Sequence, residues 1–269
     1  MKRPCLVGVV HLPPLPGSPR ASEACAPIAA SAVRDAQAMR RAGFDLVIVE
    51  NFGDAPFFAE RVPPVTVSAV TACAVAVRQA CPDLPLGINV LRNDAEASLS
   101  IAAVVGARCI RVNVHTGARV TDQGVVQGRA AETLRSRRAL GADGVAIWGD
   151  VDVKHSAPLG ERDPAREAED LVKRGLAEAV LVTGEGTGRS VDAGKLRRVR
   201  EAAGGLPVLV ASGATVETLA ELAPLCDGVI VGSALRVDGV AGGPVDAGRA
   251  ARFAEAFRTA FEGRASERR

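Results

Sequence analysis

The sequence predicts an α/β protein: a single-domain (βα)8 TIM barrel of the phosphate-binding type. Three observations carry that expectation. Eight short apolar runs alternate with helical stretches, and no break in composition marks a linker. The chain has 269 residues, close to the length of about 250 usual for one closed barrel. Late in the chain, two apolar runs end in small-residue turns, Ser212-Gly213-Ala214-Thr215 and Gly232-Ser233, where free backbone N–H groups suit a phosphate after strands seven and eight. Small residues that merely make tight turns would read the same way, so the rest of the chain must supply the other six units. An open doubly wound sheet is the alternative; eight regular units favour closure.

The units follow in order. Residues 5–11 form the first apolar run, with a proline-rich loop at 12–19. A helix is expected at about 27–42, closed by Gly43. Strand two covers 45–50 and leads through a long loop to a helix at about 66–80 that stops before Pro82. Strand three is 85–90; Asn93 and Glu96 then have capping-box spacing for a helix that Gly106 ends. Strand four, 108–114, runs into a loop to Gly124 and a helix to Leu140. Strand five is 145–153, and Asp163 with Pro164 opens a helix that ends at Gly175. Strand six, 179–183, precedes the glycine-rich segment 184–188 and a helix to Ala203. Strands seven and eight lie within 207–235, joined by a short helix with Thr215 as its N-cap. An amphipathic helix at 245–261 completes a barrel over 1–262 and leaves a charged, frayed tail at 263–269.

Composition excludes several function classes. A net charge of +2 supplies no field for nucleic acid or an anionic membrane, and 3% aromatic residues provide no base-stacking platform. No apolar run approaches about 18 residues, and the opening Met-Lys-Arg-Pro lacks the apolar region of a signal peptide, so no membrane insertion is expected. The six cysteines show no paired metal-ligand spacing and read as reduced core residues of a cytoplasmic protein. Homo-oligomerisation is left open.

The polar residues cluster on this frame. All three histidines, His11, His115 and His155, fall at the C-terminal ends of expected strands, the face where barrel active sites lie. In strand five, one parity carries Asp150, Asp152 and Lys154 and the other Val151 and Val153; the charged parity is expected to face the barrel mouth, because the outer face packs against helices. Strand four alternates likewise, with Arg111, Asn113 and His115 on one face. Lys154 is one of only four lysines. With two aspartates beside it favouring the ammonium, Lys154 is expected as a charge stabiliser or general acid and not as a Schiff-base lysine, with Asp150 or Asp152 as base. A structural ion-pair network that fills the mouth is the competing reading. Glu50 joins the candidate catalytic set from the end of strand two. Asn51, Asn89, Asn113, Thr183 and Glu185 are candidate substrate contacts. The segment 184–188 has neither the Rossmann nor the Walker spacing and reads as a loop or lid. No cofactor is expected; a divalent ion on Asp152 and His155 with His115 or Glu50 is a minority reading, since no tight ligand motif supports it.

Several stretches resemble the BtpA/SgcQ family: Gly8-Val-Val-His-Leu-Pro-Pro-Leu-Pro-Gly-Ser-Pro19, Glu50-Asn-Phe-Gly-Asp-Ala-Pro-Phe57, Val112-Asn-Val-His-Thr-Gly-Ala118, Thr121-Asp-Gln-Gly124, Asp150-Val-Asp-Val-Lys-His155 and Asp227-Gly-Val-Ile-Val-Gly232. The resemblance runs from about Cys5 to Phe261. Trp148-Gly149 and Gly242-Gly243 depart from its pattern. It implies a phosphate-binding TIM barrel, an effect on photosystem I accumulation for the member that names the family, and links of other members to sugar-phosphate or nucleoside metabolism. Two classes of function follow. One is an enzyme on a small phosphorylated substrate, a sugar phosphate or nucleotide, working by acid–base lyase, isomerase or glycosidic-cleavage chemistry. The other is a non-catalytic assembly factor for a membrane complex such as photosystem I. The gathering of titratable groups at one rim favours the enzyme.

Overall fold

The computed structural model describes residues 4–184 and 191–262. Glu185, residues 186–188 of the glycine-rich segment and the tail at 263–269 lie outside the described residues. Eleven strands are present among the described residues: β1 (Cys5–His11), β2 (Leu46–Glu50), β3 (Leu86–Asn89), β4 (Cys109–Val112), β5 (Ala118–Thr121), β6 (Gly124–Gln127), β7 (Ala146–Val151), β8 (Ser156–Pro158), β9 (Ala179–Val182), β10 (Val208–Val210) and β11 (Gly228–Val231). Eight of them close a parallel barrel in the order β1-β11-β10-β9-β7-β4-β3-β2, as the alternation requires.

Strands buried on both faces need apolar residues of both parities, and the core divides accordingly. Cys5, Val7, Val9, Ile48, Cys109, Leu181 and Ile230 pack inside the barrel. Leu6, Val10, Val47, Val49, Ile110 and Val180 face the surrounding helices. Those helices are α1 (Cys25–Ala42), α2 (Pro64–Ala80), α3 (Ala95–Val105), α4 (Ala130–Ala139), α5 (Pro164–Lys173), α6 (Ala193–Ala202), α7 (Leu219–Leu222) and α8 (Ala247–Glu262). Gly43 and Gly106 end α1 and α3 in the left-handed conformation, and Asp163 caps α5 through the Ala165 N–H, as expected.

Three local expectations are corrected. The cap of α3 is Asp94, whose carboxylate accepts the Ala97 N–H, so Asn93 is freed to bond the Val114 backbone across the mouth. Thr215 is not an N-cap: its N–H donates to the Thr218 hydroxyl, and α7 is a single turn that starts after Thr218. The loop after β4 is not irregular. It forms the β5–β6 hairpin, and β8, from the loop after β7, adds to β5 antiparallel to make a small three-stranded sheet over the rim.

Candidate functional site

Inward parity at the carboxyl ends of the strands sets the floor of the mouth. His11, Glu50 and Asn89 lie in register across β1, β2 and β3; Arg111 and Asp150 extend the layer on β4 and β7. Above it opens a cavity of about 940 Å³, measured out to solvent. One part of its wall is made by Ser212, Gly213, Ala214, Gly232 and Ser233; another by His11, Glu50, Arg111, Asn113, Lys154 and His155. Thr215 is not on this wall.

The first wall is backbone. Gly213 has φ +79°, a conformation that residues with a side chain rarely adopt, and a Cβ on Gly232 would sit 2.9 Å from the His11 ring. Among the described residues no acceptor takes the backbone N–H of Gly213, Ala214, Gly232 or Ser233. The Ser212 hydroxyl accepts the Gly184 N–H and so ties this wall to the end of β9.

The second wall is charged. The His11 ring stacks on Phe52 at 4.3 Å, and its Nδ1 accepts the Gly242 N–H at 3.2 Å. Burial, then the cations Arg236, Lys154 and Arg111, hold its pKa well below the ordinary value, so the ring is neutral with its proton on Nε2. That nitrogen lies 3.9 Å from Glu50 Oε1. Glu50 is buried and takes a 2.5 Å hydrogen bond from the Asn89 amide on its other oxygen. Arg236, fully buried and paired with Asp35, donates to the Val9 carbonyl at 2.6 Å beneath His11.

Asp150 points inward as parity requires, but it is not available as a base. Arg111 grips it with two bonds of 3.0 and 2.9 Å, and Asn113 adds a third at 2.7 Å. Asn113 thereby spends its amide on this triad while still lining the cavity.

Asp152 and His115 correct the expectation. β7 ends at Val151, and Asp152 adopts φ 52°, which swings its carboxylate out of the strand's parity. It pairs with Arg119 and Lys195, each at 2.5 Å, and Arg119 also holds Glu167. Burial pushes the Asp152 pKa up, and Lys195 and Arg119 together outweigh it. β4 ends at Val112, and His115 turns under α5: its Nε2 meets the Gly175 carbonyl at 2.9 Å with the ring buried. Of the residues in the minority metal reading, Asp152 is held by Arg119 and Lys195 and His115 lies under α5, while His155 and Glu50 stay on the cavity wall; no group of three His, Cys, Asp or Glu side chains comes together among the described residues.

Lys154 is reversed in its electrostatics. Both aspartates expected beside its amine are engaged elsewhere, and no described carboxylate lies within ion-pair distance of Nζ. Burial, then Arg111, lowers its pKa. Its backbone is pinned on both sides: its N–H donates to the Thr183 hydroxyl at 3.0 Å, and its carbonyl accepts from Arg92 at 2.8 Å. Asp152 and His155, which flank it closely, both have positive φ, a strain on the order of 1 kcal/mol each. His155 is exposed at the rim and lines the cavity.

Thr183 and Asn51 are fixed below the surface. Thr183 bonds the Asp152 carbonyl as well as Lys154, and Asn51 bonds Asp54 and the Leu91 N–H. Sequence reasoning missed Arg92 and Phe57, on loops, and Phe52, which opens a single 3-10 turn after β2. Arg111 was legible in the parity of its strand but was not singled out.

The chain matches a family model described as the BtpA family over residues 2–259. It is 42% identical over 262 residues to the photosystem I biogenesis protein BtpA of Synechocystis sp., covering 97% of this chain and 91% of that one. It is 43% identical over 256 residues to an uncharacterized protein of Thermococcus kodakarensis, covering 94% and 95%. Among solved structures it resembles 3-keto-L-gulonate-6-phosphate decarboxylase from Vibrio cholerae, with a TM-score of 0.60, 14% identity and coverage of 97% and 99%. Phosphoribosyl anthranilate isomerase from Thermus thermophilus follows at TM-score 0.56, 13% identity and coverage of 94% and 98%. At such identities these structures speak for the barrel fold alone. A closed (βα)8 barrel and whole-length kinship with the Synechocystis protein agree: the chain belongs to the BtpA family.

Proposed function

We propose that this protein is an enzyme performing acid–base isomerase or lyase chemistry on a small phosphorylated compound, a sugar phosphate or a nucleotide. One observation carries the reading: a single cavity is walled on one part by unengaged backbone N–H groups at two glycine turns and on another by Glu50 amid the cations Arg111, Arg92 and Lys154. The turns suit the phosphate. Glu50, beside the neutral His11, suits a proton carrier at the reacting end. Among the described residues Glu50 is the one carboxylate on the cavity wall, and a single positioned proton carrier suits isomerase or lyase chemistry. The names of the two structural neighbours, a phosphate-sugar decarboxylase and a phosphoribosyl isomerase, agree with the substrate class.

A panel of sugar phosphates and nucleotides tested by thermal shift examines the reading. A ligand at about 100 times its Kd adds about 2.7 kcal/mol, a rise of several degrees in Tm for a chain of this size. Ser233→Asp and Gly213→Asp put a carboxylate where the phosphate is placed and are expected to abolish that rise. Gly232→Asp is a poorer probe, because it also displaces His11. If the same phosphates stabilise the wild type and both variants equally, the site is wrong.

The second reading is an assembly factor, and the name of the Synechocystis relative supports it. A role confined to photosystem I does not reach the archaeal relative in Thermococcus kodakarensis, whereas a shared small-molecule reaction reaches both.

A further inference from the structure

We propose that Lys154 is an amine nucleophile that captures the carbonyl group of a phosphorylated ketone or aldehyde as an imine in the barrel mouth. This rests on the phosphate reading above and adds the substrate's reacting group. The argument is one of partners. Of the three lysines among the described residues, Lys173 is held by Glu169 at 2.6 Å and Lys195 by Asp152 at 2.5 Å. Lys154 has no such partner among the described residues, although it follows Asp150 and Asp152 in sequence by only a few residues. The structure assigns Asp150 to Arg111 and Asp152 to Arg119 and Lys195. Burial and the charges of Arg111 and Arg92 act against the charge of Lys154, and Glu50 and Asp150 act for it without pairing with it.

An amine desolvated beside other cations and short of a counter-ion favours the uncharged, nucleophilic form. The backbone hydrogen bonds to Thr183 and Arg92 fix where the side chain starts, and the cavity is where it ends. A surface lysine has neither constraint. Scarcity agrees: arginines fill the structural cation positions at Asp150, Glu167 and Asp35.

The step balances without oxidant or reductant. The Nζ lone pair forms a bond to the carbonyl carbon while the C=O π pair moves to oxygen. One amine proton, relayed by Glu50, and one proton from solvent end on that oxygen, which leaves as water while the C=N bond closes and the second amine proton stays on nitrogen. A protonated imine then withdraws electrons from the adjacent carbon, which is what isomerase or lyase chemistry next to a carbonyl requires.

The full-length protein is incubated with dihydroxyacetone phosphate, ribose 5-phosphate or unphosphorylated dihydroxyacetone, each with cyanoborohydride, then digested and weighed. The expected result is a reduced adduct on the Lys154 peptide, formed with the phosphorylated probes at least about tenfold faster than on Lys173 or Lys195. A lowered pKa leaves more of the amine neutral and so speeds its reaction relative to the ion-paired lysines. Inorganic phosphate should compete, and Lys154→Met and Lys154→Arg, checked for folding by thermal melts, should lose the adduct. Reductive 13C-methylation followed by NMR should show Lys154 titrating below the other lysines. No selective Lys154 adduct with any probe overturns the proposal, whatever the titration shows. The two readings fail separately. Stabilisation of wild type and Lys154→Met alike by sugar phosphates, without an adduct, sinks the imine and keeps the phosphate site. Equal labelling of Lys154 by dihydroxyacetone and its phosphate keeps the nucleophile and sinks the phosphate site.

Discussion

Two charged regions meet along β7 and are built on opposite terms. Around Asp152 every charge is answered: Arg119 bridges Asp152 and Glu167, and Lys195 closes on the second oxygen of Asp152. In the mouth, Arg111 is spent on Asp150, while Lys154 and Arg92 outnumber Glu50, the remaining carboxylate among the described residues. The first region is a matched clamp that fixes the rim. The second holds a surplus of positive charge on a cavity wall, an arrangement that an anionic ligand completes. Balanced ion pairs are read as structure and unbalanced ones as a site, even when sequence places them two residues apart.

Perturbations that break this contrast rank by how much charge they strand. Arg111→Met leaves the Asp150 carboxylate buried with Asn113 alone, and removing one partner of a buried pair costs about 3–5 kcal/mol. Urea melts are expected to show the largest loss here. Arg119→Met strands Glu167, which is buried, but leaves Asp152 with Lys195 and partly in solvent, so about 1.5–3 kcal/mol is expected in the same assay.

The pH dependence sharpens the contrast next. Burial lowers the pKa values of His11 and His115, so both are neutral in the fold, while their unfolded forms take up a proton near pH 6.5. Below that pH the unfolded chain binds more protons, and stability falls toward the depressed folded values by at most about 1.4 kcal/mol per pH unit for each histidine. His115→Gln should flatten the acid arm in denaturant titrations. Lys154 acts at the other end: stability should rise with pH from its lowered folded pKa up to the unfolded value near 10.4. An alkaline arm unchanged in Lys154→Met contradicts the unpaired amine.

The smallest effect is the most telling. At neutral pH, Lys154→Met removes an amine with no ion-pair partner among the described residues, so stability should stay within about 1 kcal/mol of wild type or rise. A loss comparable to that of Arg111→Met would move Lys154 into the clamp.

The barrel was legible because each strand announces itself with β-branched residues and ends at a turn, and parity is a property of the strand. For the same reason the inward floor of His11, Glu50, Asn89, Arg111 and Asp150 was within reach. Parity fails where a strand stops. Asp152 and His115 lie one and three residues beyond the last strand residue, and a single positive φ at Asp152 suffices to redirect its carboxylate. Pairing is also invisible in one dimension. The partners of Asp152 come from Arg119 and Lys195, 33 and 43 residues away, and with them assigned the electrostatics of Lys154 reverse sign. The β5–β6 hairpin carried a signal, valines and threonine around Asp-Gln-Gly, that an eight-unit template hides.

That hairpin has a consequence for anyone rebuilding this barrel. β8 pairs with β5 through Arg119, Val120 and Thr121 opposite Pro158, Ala157 and Ser156, and Arg119 reaches Ser156 and Asp152 as well. The loops after β4 and β7 are thus one module made from two distant stretches of gene. A chimera that imports only one of them from a relative inherits half a sheet and an orphaned arginine; transplanted together, they carry their own register and can be exchanged as a cassette.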